Sequence, residues 1–465
     1  MTSSESVEPQ IGPLTRYPLA SFRELVTLSL PLIFSCLSAS LLGFCDRLFL
    51  SHYSLEAWNA SSTSGYIAFL YQMLCAMIAM IAQSFIGQHI GAKRPSMVGP
   101  IVWQMIWFAF LSMLITYPSS FFAELYFKGT EIEASALAYF RPMALFNFLF
   151  PLNAALSAFF LGRGKTRIIF YANISIQFIN IALDYLLIFG VGSLIPPLGI
   201  FGAASATIIS EATLCIILFM IFSRPEHIPL YHTHKRHLDF RLFKEMLKVG
   251  LPRSIGRGMA IGSWAFAAHL LVKTGGDHLL VLTLGTSLFM IFTFMNEGIC
   301  QALTTVASHI LGAKEEAAIP HLIRSAFQVL ALAMLLLSIP LILMKEQMVS
   351  LFITDNLPLA TFELLRKTSV LAWVSCLANG INCIGVSLIT ASRDTFFYAC
   401  LISANWITIC IPVYLIIGYM NVSPEYFFLI DGTNTILFAM IYFLRFRKGF
   451  WKKHLHSLHH PRIEA

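Results

Sequence analysis

Apolar residues fill this chain in long runs, and short polar or basic segments interrupt them at near-regular intervals. About 20 consecutive apolar residues are enough to cross the hydrocarbon core of a bilayer. Twelve runs of that kind can be counted, over roughly 24–50, 60–84, 99–118, 136–161, 168–190 and 200–222, then 245–272, 279–308, 322–344, 364–391, 396–417 and 425–445. In lipid each must be a helix, because a lone strand leaves its backbone groups unpaired. The pattern therefore predicts an all-α integral membrane protein with twelve transmembrane helices.

The runs also repeat. "SLPLIF" (Ser29–Phe34) resembles "GLPRSI" (Gly250–Ile255), and "IGAKRP" (Ile90–Pro95) resembles "LGAKEE" (Leu311–Glu316). Pro31 to Pro252 and Gly91 to Gly312 are both offsets of 221 residues, while "YLLIFG" (Tyr185–Gly190) and "VYLIIG" (Val413–Gly418) are offset by 228. Six helices per half is an even number, so the halves share one orientation and are related by an axis along the membrane normal. The organisation expected is a tail (1–23), a first lobe (24–222), a linker (223–244), a second lobe (245–445) and a basic tail (446–465). A substrate site is expected between the lobes, near the midplane.

Composition narrows the function. The chain is 57% hydrophobic and 12% charged, with a mean hydropathy of +0.73, whereas soluble domains carry roughly 25% charged residues. The net charge of +7 resides in the connections, which reads as topology and not as a nucleic-acid surface. The tails and even-numbered connections hold 22 of the 31 Lys and Arg residues. That bias predicts both termini in the cytoplasm and a plasma (inner) membrane location. The first run, Val26 to Leu50, is too long for a signal-peptide core and should remain as a span. Nine cysteines lie in apolar runs with no CxxC pair, and read as small buried side chains. His232, His234 and His237, like His454, His456, His459 and His460 in the tail, sit among Lys and Arg and read as solvated or headgroup-facing. No phosphate-binding loop, nucleophile elbow or HExxH is present. The expectation is a monomer that is no enzyme, holds no cofactor, and meets only small-molecule substrates and lipids. Transport would then draw on an ion gradient or on the substrate itself.

Charge within the spans is the candidate chemistry, because a carboxylate at the bilayer centre costs about 2.5–3.5 kcal/mol on insertion scales. Asp46 lies in the last turns of the first span. The fifth span places Asn173, Gln177, Asn180 and Asp184 at steps of 4, 3 and 4, a stripe on one helix face. Interhelical hydrogen bonding alone would explain the amides but not Asp184. Thr207 and Glu211 lie one turn apart on the sixth span. Two carboxylates in a desolvated cleft cannot both ionise cheaply. That is the requirement for a proton carrier, and the same oxygens suit a bare sodium ion. The second half differs: at the 221 offset Asp46 becomes Ala267. It offers Glu297 with Gln301 four residues on, Asn379, Asp431, and Arg257, which would neutralise Glu297 if the two pair.

Together these residues resemble the MATE (multidrug and toxic compound extrusion) transporters. The matching pieces are "LSLPLIF", "GFCDRLFLSHYSLEAWNA", "AQSFIGQHIGAKR", "FFLGRGKTR", "NIALDYLLIFG" (Asn180–Gly190) and "PLGIFGAASATIISE" (Pro197–Glu211), spread over about Glu24 to Arg447. The resemblance implies two pseudo-symmetric six-helix lobes of MATE/MOP type. It also implies an antiporter that exports drugs or small, often cationic, organic compounds by alternating access, driven by proton or sodium entry. It is similar to the DinF-like branch, which implies a cation-coupling role for Asp46, Asn180, Asp184 and Thr207 and a bending role for Pro31. Where the NorM-like branch carries carboxylates on helices 7 and 10, this chain has Ala260 or a neighbour, and Asn379. Arg47 beside Asp46 departs from the pattern. A lipid-linked precursor flippase of the same superfamily is the alternative. Arg257 speaks for it, and the twelve spans speak against it.

Overall fold

Ser21 starts the first helix by accepting the Glu24 amide on its hydroxyl at 3.2 Å, a standard way to satisfy a free helix-end donor. From there α1 (Phe22–Tyr53) runs unbroken through Pro31. Ser54 then caps the following helix through the Ala57 amide at 3.0 Å. The computed structural model describes residues 14–192, 196–272, 276–352, 358–420, 422–450 and 452. The first 13 residues and the tail histidines lie outside them.

The first lobe continues with α2 (Leu55–Gly91), α3 (Pro95–Phe121), α4 (Glu133–Leu145 and Leu149–Leu161), α5 (Thr166–Phe189) and α6 (Gly199–Phe222). The second comprises α7 (Phe240–Val272), then α8 (Asp277–Ala313), α9 (Glu316–Leu343), α10 (Leu359–Ala391), α11 (Thr395–Tyr419) and α12 (Tyr426–Arg447). Among the described residues ten of these are long and apolar enough to span a bilayer, and α4 makes an eleventh as a pair bent by 43°. Prolines on both sides of the bend, Pro142 and Pro151, account for it. The twelfth, α7, has the length, at 33 residues, but carries Lys244, Glu245, Lys248, Arg253 and Arg257. It begins at Phe240, inside the segment read as linker. The rest of that segment is no loose tether. Trp103 donates to the Thr233 carbonyl at 2.7 Å and Trp107 to that of Arg236 at 2.8 Å, so the linker is fastened to α3.

The 221-residue repeat becomes a two-fold contact where α2 crosses α8. A side chain on Gly91 would collide with the His309 carbonyl, and one on Gly312 with the Gln88 carbonyl. These contacts exchange under the offset, since 91 and 88 become 312 and 309. Gly87 faces Ser308, its own counterpart, so the axis passes between them. Only glycine allows backbones this close. Around the crossing one apolar core joins both lobes at the Lys/Arg-rich end. Toward the other end the core divides into one cluster within the first lobe and one within the second. The lobes thus meet at the basic end and have separate interiors at the opposite one.

Candidate cation-coupling site

The fifth-span stripe lies where its spacing places it, along the seam between α5 and α1. Asn173 donates to Ser35 at 2.6 Å. Eleven residues farther along both helices, Asp184 meets Asp46, and their carboxyls come within hydrogen-bonding reach of one another. Equal steps along two parallel helices keep both pairs in register, about 16 Å apart. Asp184 and Asn180 are buried and Asp46 is half-buried.

The polar atoms here lack protein partners. Oδ1 of Asp46, both oxygens of Asp184, both side-chain polar atoms of Asn180 and Oε1 of Gln177 are buried without a hydrogen bond. An ionised carboxylate only accepts. Two of them facing each other need a proton or a cation between them, and unpartnered buried polar atoms are costly otherwise. Tyr139 of α4 is an electrostatic neighbour of both carboxyls, with its ring edge against Gly65 of α2. Nothing in the spacing of polar residues marks Tyr139, which reads as one more aromatic in an apolar run. Arg47 is exposed and forms no ion pair among the described residues, while remaining an electrostatic neighbour of Asp46.

The other candidates make contacts of their own. The Thr207 hydroxyl turns back to the Ala203 carbonyl of its own helix at 3.1 Å. Glu211 accepts from Asn153 of α4, in a separate polar contact nearer the middle of α6. Pro31 sits where α8 presses on α1: a side chain on Gly298 would strike the Ile33 backbone. In the second lobe Arg257 and Glu297 are electrostatic neighbours but form no ion pair among the described residues, so contact neutralisation does not occur. Asn379 accepts from Asn296 at 3.3 Å. The Gln301 carbonyl accepts from Gln83 across the lobes at 2.8 Å. Asp431 is half-buried on α12, and none of these joins the Asp46–Asp184 pair.

A family model described as MatE matches residues 31–186 and 259–420. The "probable multidrug resistance protein NorM" of Thermotoga maritima is 26% identical over 341 residues, 72% of each chain. The "uncharacterized transporter YisQ" of Bacillus subtilis is 23% identical over 359 residues, 75% of this chain and 77% of its own. A solved structure, the outward-facing conformation of a multidrug resistance MATE family transporter of the MOP superfamily, matches with a TM-score of 0.82 at 18% identity. It covers 94% of this chain and 97% of the other, and the likeness carries the fold.

Proposed function

This chain belongs to the MatE family, and from that premise we propose that it is an ion-coupled exporter of drugs or other small organic compounds. The coupling ion is a proton or sodium, and Asp46 and Asp184 are its carriers, with Asn180 beside them. The observation that supports this most is the facing pair of carboxyls, in which Oδ1 of Asp46 and both oxygens of Asp184 are buried without a hydrogen bond. One proton supplies the missing donor, and a sodium ion supplies the missing charge. The same pair favours the DinF-like reading within the family.

Cation entry from the outer side neutralises the pair. Charge loss lets α1 bend near Pro31 and draw toward α5, which shrinks the first-lobe interior and drives cargo outward. The empty lobes then rock about the α2–α8 crossing. The ion drives this only by binding one state better than the other. The basic bias of the connections supports cytoplasmic termini and a plasma (inner) membrane location. Nothing in the reading requires more than a monomer.

The test is uptake in proteoliposomes with pH and sodium gradients imposed separately. One gradient alone should drive export of a fluorescent dye, and Asp46→Asn or Asp184→Asn should abolish that drive. Dye movement at the unmodified rate in both variants would falsify the coupling assignment.

A further inference from the structure

Midway along α7, Arg253 and Arg257 stand one turn apart within the span. Packing allots the faces of this helix. Ser254 donates to the Leu74 carbonyl of α2 at 2.8 Å, and Gly250 and Gly258 contact the same helix at Ile78 and Leu74. Gly256 lies against the Tyr398 ring of α11. Arg253 and Arg257 fall between these two faces, toward the interior of the second lobe. Their electrostatic neighbours there are Tyr398, Cys300 and, for Arg257, Glu297 and Cys383. Cys36 of α1 neighbours Glu297 as well, so the cluster reaches the seam between the lobes.

Neither guanidinium forms an ion pair among the described residues. Two positive charges therefore stand against one carboxylate within a membrane span, where an unpaired charge is costly to hold. Packing does not need them, since the α7 contacts are made by Gly250, Ser254, Gly256 and Gly258. A planar fork repeated one turn apart suits an oxyanion. Glu297, held off from Arg257, remains open to a positive group.

We propose that Arg253 and Arg257 bind an anionic group of the transported molecule, most simply a carboxylate, while Glu297 receives an ammonium on the same molecule, so that the cargo class is zwitterionic. The inference rests on the transporter reading and refines its substrate class.

Nα-dansyl-lysine and dansylcadaverine test it, because they share the fluorophore and the amine and differ by one carboxylate. Binding to the purified full chain in nanodiscs is read by fluorescence anisotropy. The unmodified protein should bind the zwitterion about tenfold more tightly, the ratio that one charge-assisted contact supplies. Arg253→Gln and Arg257→Gln should each lower that ratio several-fold, and the double variant should bring it to about one. Arg257→Lys, which keeps the charge but loses the fork, should fall between. Acetylating the probe's ε-amine should weaken binding to the unmodified protein but not to Glu297→Gln. Equal affinities for the two probes in the unmodified protein, or an unchanged ratio in the double variant, would sink the inference. If the double variant does not assemble, the unmodified ratio and Arg257→Lys decide. Failure of the transporter reading shows separately, as absence of probe movement in proteoliposomes whatever the binding ratio.

Discussion

The smallest decisive feature is one pair of facing carboxyls. Asp46 and Asp184 are legible in the sequence, because charge inside an apolar run is anomalous and a 4-3-4 polar spacing leaves one helix face. Their meeting was not readable from spacing alone, since it depends on how α1 slides along α5. That register is set by Asn173 and Ser35 eleven residues away. Tyr139 was invisible for a different reason: an aromatic with a hydroxyl looks the same whether it faces lipid or a charge pair. Tyr139→Phe tests its role. It removes a phenol that neighbours both carboxyls while leaving the ring on Gly65. Export should slow several-fold, while stability changes by no more than about 1 kcal/mol. Rates in proteoliposomes, set against thermal unfolding of the same preparation, separate the two effects.

Among the elements, the linker departs most from its reading as a solvated basic loop. His234 and His237 are exposed, as a solvated reading expects, but His227, which that reading did not include, sits edge-on to Phe159 at 5.2 Å and to Tyr231 at 5.7 Å. Arg163 lies over the same two rings at 4.2 and 4.1 Å. A sequence window does not show this docking, because its partners belong to α3 and α4, well over fifty residues upstream. Burial, and then the nearby Arg163 cation, hold His227 below the ordinary histidine value, against smaller opposing pulls from the Phe222 and Ile221 carbonyls and, last, Glu226. The sign follows directly. The undocked linker binds the proton more readily, so docking is at full strength above the ordinary histidine value and weakens as pH falls below it. His232, also lowered by burial and then by Lys235 and His234, adds in the same direction. Amide exchange over residues 225–237, corrected for intrinsic rates, should therefore quicken between pH 7 and pH 5. His227→Gln should flatten most of that dependence.

At the scale of the whole molecule, the two lobes close on each other at the basic end around the α2–α8 crossing, and the repeat explains why that crossing is self-complementary. Gly91 meets His309 as Gly312 meets Gln88, an isologous contact in the sense that applies to two-fold dimers. Other bonds reinforce the closed end: Gln88 donates to the Ala391 carbonyl at 2.6 Å, Ser325 to that of Ala20 at 2.8 Å, and the Arg393 guanidinium lies 3.5 Å from the Phe85 ring centre. The alternating access proposed above requires this end to part while the opposite end closes, so the packing at the crossing would set the balance. Forcing a side chain into a tightly packed contact costs about 1–3 kcal/mol, and reversing a 99:1 population takes about 5.5 kcal/mol. Gly91→Ala alone should thus shift the balance partway, and Gly91→Ala with Gly312→Ala should bring the two states near parity or past it. Spin labels at Leu55 and Leu279, exposed at the opposite ends of α2 and α8 from the crossing, report the change as a shorter distance between those ends. Because the two contacts are related by symmetry, either single variant should produce about the same shift. A large effect from Gly91→Ala and none from Gly312→Ala would mean that the lobes do not turn about this crossing.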